Sequence, residues 1–320
     1  MSLPKILQNL ELPVVAAPMF IVSGPELVIA QCKAGIVGSF PALNARPAEE
    51  LEKWIIRIKA ELAQYQEENP DKKVAPFAVN QICHASNDRL MHDMEVCVRQ
   101  EVPIIITSLR APKQIMEAVH SYGGIVLHDV INIRHTKKAL SEGADGIIAV
   151  CAGAGGHAGV MSPYALLPEI REFHDGPLLC SGSIATGGSI LGALAIGADL
   201  AYIGTRFIAA KEANAPEAYK DMVVDATGKD IVYTSLFTGV EGNYLAESVR
   251  NADMDPDNLP SADKSTMNFG SGGNTKAKAW RDIWSAGQGA GSIHEVNTVQ
   301  EIVDDMKAEY KAAKKRILQI

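Results

Sequence analysis

Cysteine is scarce in this sequence and does not come in pairs: five residues in 320, an odd number, with no Cys-x-x-Cys. That argues against a disulfide-built scaffold and suits free thiols in a reducing cytoplasm. Long apolar runs are missing as well, so no segment reads as a membrane span and no membrane partner is expected. The start, "MSLPKILQNLELP", lacks the charged opening, apolar stretch and small-residue cleavage site of a signal peptide. Nor is there an excess of positive charge. The net charge is −8, and Lys and Arg are scattered except in the terminal "KAAKKR", which solvates the end of a helix. A general nucleic-acid binder is therefore disfavoured. Neither an internal repeat beyond a strand–helix period nor a low-complexity tract is present. What remains is a globular, cytoplasmic chain, 47% hydrophobic and 21% charged, able to bury one large core or two ordinary ones.

Short apolar runs alternate with longer amphipathic ones. The strand candidates are "PVVAAP", "AGIVGSF", "PFAVN", "PIIITS", "GIVLHD", "GIIAVC", "PLLCSG" and "AYIGT", separated by helical patterns such as 48–68, 88–100, 112–121, 136–142 and 187–197. Continuous apolar strands between helices imply a parallel sheet covered by helices. Eight such units predict an α/β fold, a (β/α)8 TIM barrel, with an open doubly wound sheet as the alternative. After Thr205 the alternation fails. Residues 211–276, rich in Asn, Asp, Gly, Pro and Ser in their later part, read as a small inserted substrate or lid domain, leaving 1–210 and 277–320 as the barrel. An amphipathic helix over about 299–317 closes the chain.

In a barrel of this type the strand ends meet at one mouth, where active sites are built. "CAGAGGHAGVMS", Cys151 to Ser162, follows the sixth strand and strips the backbone almost bare before installing one imidazole, His157. Glycines there allow close approach to a flat ligand, and His157 is the group able to exchange a proton near neutral pH. The glycine spacing is not that of a dinucleotide fingerprint, and no second ligand pair stands at metal spacing from Cys151 and His157, so no metal is expected. Cys151 and Cys180 read as buried small hydrophobes. "SGSIATGGS" and "GTRF", after strands seven and eight, offer Ser181, Gly182, Ser183, Gly204 and Thr205 to a single phosphate group. His128 and Asp129 form a further candidate pair, of which strand alternation turns one toward the ligand.

At these residues a resemblance appears. "APM", "GADGIIAVCAGAGGHAG", "SGSIATGGSILGALAIGADLAYIGTRFIAAKEA" and "WSAGQG" together resemble the nitronate monooxygenase family, over nearly the whole chain and in order. The resemblance implies a TIM barrel holding FMN non-covalently, with His157 in a proton-transfer or substrate-orienting role. It assigns flavin contacts to Pro18, Met19, Asn80, Gly155, Gly156, Ser181, Gly182, Ser183, Gly204 and Thr205, with Gln288 closing over the site. It also implies a small-molecule substrate, a nitronate or a quinone-like compound, and O2 as co-substrate. Relatives on the same barrel include NAD(P)H-dependent quinone and enoyl-thioester reductases. Some quinone reductases carry a lysine where this chain has Asp129, a departure that removes a cation from the flavin's surroundings. A ligand-binding module without turnover is the remaining class, and the inserted region with a titratable residue over the cofactor argues against it.

Overall fold

A computed structural model describes residues 3–262 and 283–319. The sheet at its centre is built from β1 (Val14–Ala16), β2 (Gly38–Pro41), β3 (Phe77–Ile82), β4 (Ile104–Ser108), β5 (Ile125–Val130), β6 (Gly146–Val150), β8 (Leu178–Ser181) and β9 (Leu200–Ile203). All are parallel, in the order β1-β9-β8-β6-β5-β4-β3-β2. A bridge between Val15 and Val37 joins the two outer strands, so the sheet closes into an eight-stranded barrel. Each strand lies inside one of the apolar runs read from the sequence or overlaps it. Their burial on both faces is why those runs are continuous rather than alternating. Val15, Val37, Ala78, Ile104, Ile106, Leu127, Ile148, Leu179, Leu200 and Tyr202 fill the interior, with Leu7 packed among them from the N-terminal turn. The intervening positions, such as Val14, Val79, Ile105, Val126, Ile147 and Cys180, point outward into the layer shared with the helices.

The helices are α1 (Pro25–Lys33), α2 (Glu50–Glu68), α3 (Leu90–Arg99), α4 (Lys113–His120), α5 (Ile133–Ser141), α6 (Pro163–Arg171) and α7 (Gly187–Ala195). On α2 the buried residues Leu51, Ile55, Ile58 and Leu62 recur at helical spacing. Helix α5 starts three residues before its apolar pattern suggests, because the Asn132 side chain accepts a hydrogen bond from the His135 N–H and caps it. The C-terminal helix, Val299–Ile317, opens on a reciprocal cap between Thr298 and Glu301. It lies across the start of α7, where a Cβ on Gly187 would come within 2.1 Å of the Met306 carbonyl.

Beyond β9 the chain makes the short helix α8 (Thr205–Ile208), then α9 (Glu217–Asp225), β10 (Ile231–Thr234), β11 (Gly242–Leu245) and α10 (Ala246–Arg250). β10 and β11 form an antiparallel pair, and β11 pairs on its other edge with β7 (Gly156–His157). The region read as an insert is therefore stitched to the glycine-rich loop by backbone hydrogen bonds. The expected domain boundary at 276/277 lies outside the described residues. All five cysteines are buried free thiols. Among the described residues, no helix is long and apolar enough to cross a membrane.

Candidate active site

Parallel strands place all eight C-terminal ends at one mouth, and there the inward-facing layer turns polar. Asn80, Ser108 and Asp129 each sit two residues beyond an interior apolar side chain on β3, β4 and β5. They form a chain: Asn80 Nδ2 donates to Ser108 Oγ at 2.8 Å, and Ser108 Oγ donates to Asp129 Oδ2 at 2.5 Å. The other Asn80 amide hydrogen goes to the Ile106 carbonyl at 3.2 Å, which leaves the Asn80 side-chain oxygen as an acceptor. His128, the neighbouring position on β5, pairs its Nδ1 with the Thr107 hydroxyl at 2.8 Å. Burial pushes the Asp129 carboxyl up, partly offset by His128 and the Ser108 hydrogen bond, and pushes the His128 imidazole down.

The glycine-rich loop is shaped by close backbone packing. Gly153 has φ +80°, and a Cβ there would fall 2.1 Å from Ser183 Oγ and 2.8 Å from Gln288 Oε1. A Cβ on Gly155 would lie 2.8 Å from the Gly287 nitrogen. Three segments converge here: the Gln288 N–H donates to the Gly153 carbonyl at 2.9 Å, and the Gly287 N–H donates to Thr205 Oγ1 at 2.9 Å. Asn243 Nδ2 donates to the Ala154 carbonyl at 2.6 Å from the third side. Glycine is needed at 153 because the Ser183 and Gln288 side chains already occupy the space, and at 155 because the backbone of Ala286 and Gly287 does.

His157 follows on β7, its backbone paired with Gly242. Its Nε2 lies 2.9 Å from Thr238 Oγ1. The Thr238 hydroxyl also lies 3.1 Å from the Val240 carbonyl, and when it donates there its oxygen accepts from His157 Nε2–H. Burial holds the imidazole down at about 4, so it is neutral at pH 7. Thr238 and Asn243 escaped the sequence reading, since they lie 81 and 89 residues from their partners with no local motif to mark them.

A cavity of about 1700 Å³ opens at this mouth. Pro18, Met19, Asn80, Gly155, Gly156, His157, Ser181, Gly182, Ser183, Gly204 and Thr205 all line it, together with His128 and Asp129. Gln288 is not among the lining residues: it is exposed, and its side chain lies beside Gly153. The turn after β8 bends through Gly182 at φ +128° and Ser183 at φ 57°. A Cβ on Gly182 would lie 2.7 Å from the Ala152 carbonyl, so this glycine serves the fold as well as any ligand. The N-terminus of α7 is already satisfied. Thr186 and Ser189 cap it, and the Gly187 N–H donates to Glu309 Oε2 at 2.6 Å.

A sequence model of the family described as nitronate monooxygenase matches residues 3–309. The chain is 30% identical over 230 residues to a nitronate monooxygenase of Neurospora crassa, covering 64% of this chain and 59% of that one. It is 30% identical over 208 residues to a (3aS,4S,5R,7aS)-5-hydroxy-7a-methyl-1-oxo-octahydro-1H-indene-4-carboxyl-CoA dehydrogenase of Rhodococcus jostii, covering 65% of this chain and 55% of that one. The match thus spans less than two thirds of the length of either relative. Among solved structures, nitroalkane oxidase from Streptomyces ansochromogenes superposes with a TM-score of 0.79 at 23% identity, over 98% of this chain and 99% of that one. FabK from Thermotoga maritima gives 0.77 at 23% identity, over 98% and 97%. At that identity the likeness is one of fold.

Proposed function

The chain belongs to the nitronate monooxygenase family of oxidoreductases, and from that premise we propose that it uses FMN and O2 to convert an alkyl nitronate to a carbonyl compound and nitrite. The observation that carries this reading is His157. It is a neutral imidazole on the wall of the barrel-mouth cavity, fixed by Thr238 and by a strand pairing that leaves its backbone little freedom.

The residues present fit FMN. Ser181, Ser183 and Thr205 bring hydroxyls to one end of the cavity, and Gly182 and Gly204 leave their backbone bare. Thr205 Oγ1 accepts from Gly287, so its own proton remains to be donated. These are donors for one phosphate. The helix start beside them is that of α8, since Glu309 holds that of α7. Asn80 presents a carbonyl oxygen, suited to an N–H of a flavin ring. When bound, FMN would supply the electron-transfer chemistry that no side chain offers.

His157 manages the proton. A neutral imidazole brings no counter-charge to an anionic nitronate, but it can take the α-proton of a neutral nitroalkane. Replacing His157 by Asn should leave flavin bound and cut turnover of a neutral nitroalkane by about 10²–10⁴-fold, the usual worth of general-base catalysis. Preformed nitronate should suffer a smaller loss, because its α-proton is already gone. Unchanged turnover of both forms would remove His157 from the chemistry.

One observation favours a second reading. A relative at 30% identity is named as an indene-carboxyl-CoA dehydrogenase, which points to hydride chemistry on the same barrel. Anaerobic mixing separates the two. Bleaching of the flavin by NADH, NADPH or an acyl thioester selects the second, and bleaching by a nitronate selects the first.

A further inference from the structure

The cavity at the barrel mouth is large. Its volume of about 1700 Å³ exceeds the roughly 300–1,000 Å³ of an ordinary small-molecule pocket. Part of it is an arm beneath the loops that follow β1, β2, β3 and β4, and β2 stands opposite β6, the strand that leads to His157, in the ring. Phe20, Ile21, Leu43, Trp54, Leu90 and Leu109 give this arm an apolar wall.

Two of them stand in backbone conformations that favour glycine. Ile21 has φ 67° and Leu109 φ 72°, and for a β-branched residue this is strained. Asn44 enforces the first turn: its Oδ1 accepts from the Ile21 N–H at 2.9 Å, and its Nδ2 donates to the carbonyls of Met19 and Ser23 at 3.0 and 2.9 Å. Leu109 is 38% exposed. A strained, partly solvated leucine contributes little to a folded core, and its side chain lines the cavity.

The same loops carry Arg46 and Arg110, both exposed and both lining the cavity. Arg46 lies over the Phe20 ring, 5.4 Å from its centroid, and donates from Nε to the Leu43 carbonyl. Neither has a carboxylate partner among the described residues. Glu26, an acid of this wall, is already paired with Arg57 at 2.7 Å.

We propose that this arm is a subsite for an amphipathic substrate, an apolar chain or ring system whose far end carries an anionic group met by Arg110 and Arg46. This rests on the cavity being the reaction site, as proposed above, and names its substrate class. The test is calorimetric titration of octanoate and of octanamide into the flavin-loaded protein. Wild type should bind octanoate at least about 10-fold more tightly, the scale of a hydrogen bond to a charged group. Arg110→Gln should remove most of that preference while keeping octanamide binding, and Leu109→Gly should weaken both ligands alike. Equal affinity for the two ligands, no binding of either, or a preference that survives both Arg110→Gln and Arg46→Gln would overturn the proposal. Binding is read without turnover, so a failure to oxidise nitronates would count against the reaction and leave this result standing.

Discussion

At the scale of single residues, two half-buried titratable groups in one cavity pull stability in opposite directions with pH. His157 is held at about 4 by burial, against roughly 6.5 for a free imidazole. Between those values the unfolded chain binds the proton and the folded one does not, so stability is lost as pH falls through that window. His157→Asn should flatten that slope, read as Tm measured from about pH 7 down to about pH 4. Turnover that needs the neutral imidazole should hold steady below neutrality and fall only as pH drops through about 4. Asp129 behaves the other way. Burial raises its carboxyl above the usual range, so the unfolded chain releases its proton first and stability declines as pH rises through the shifted window. Asp129→Asn keeps an oxygen to accept from Ser108 and removes the penalty. It should melt higher than wild type at pH 7 and lose that advantage in acid. A lower Tm at pH 7 would mean that the hydrogen bonds to the carboxylate outweigh its desolvation.

At the scale of elements, the strand pair β7–β11 decides where the imidazole stands. A Cβ on Gly242 would come within 2.9 Å of the Gly156 carbonyl, so Gly242→Ala must push the two strands apart. We expect turnover to fall while the flavin stays bound and the barrel stays folded, checked by flavin absorbance and far-UV circular dichroism beside the rate. Gly192 in α7 is the control, because a Cβ there meets nothing within 4 Å. Gly192→Ala should stabilise the protein by about 0.5–1 kcal/mol, the helix-propensity difference between the two residues, with turnover unchanged. Loss of activity in Gly192→Ala, or full activity in Gly242→Ala, would remove the small sheet from the account of His157.

At the scale of the whole molecule, the expectation of FMN over FAD rests on the single donor set proposed for a phosphate, among the described residues, at the ends of β8 and β9. Denaturing the purified protein and identifying the released chromophore tests it, and FAD or the absence of any flavin would defeat it. Gly182→Leu, an obvious way to empty that end of the cavity, is a poor probe. Its Cβ would collide with the Ala152 carbonyl at a φ of +128°, so lost flavin would not be separable from a damaged barrel.

The eight barrel strands were legible in the residue order because each is buried on both faces and so reads as an unbroken apolar run bounded by turn formers. The C-terminal helix was legible for a similarly local reason: Thr298 and Glu301 cap it, and Val299, Ile302, Val303 and Met306 keep helical spacing. The residues gathered at the mouth followed, since parallel strands of one barrel must end on one side. Other features had no local signal. That Gly153 and Gly155 are pressed by residues 286–288, that Thr238 meets the His157 imidazole, and that Glu309 holds the start of α7 all depend on partners 81 to 135 positions away. Periodicity and turn chemistry act over a few residues. Contacts closed across such distances arise only when the barrel and its covering elements pack, and they fix which atoms of the glycine loop face the cavity and which face protein.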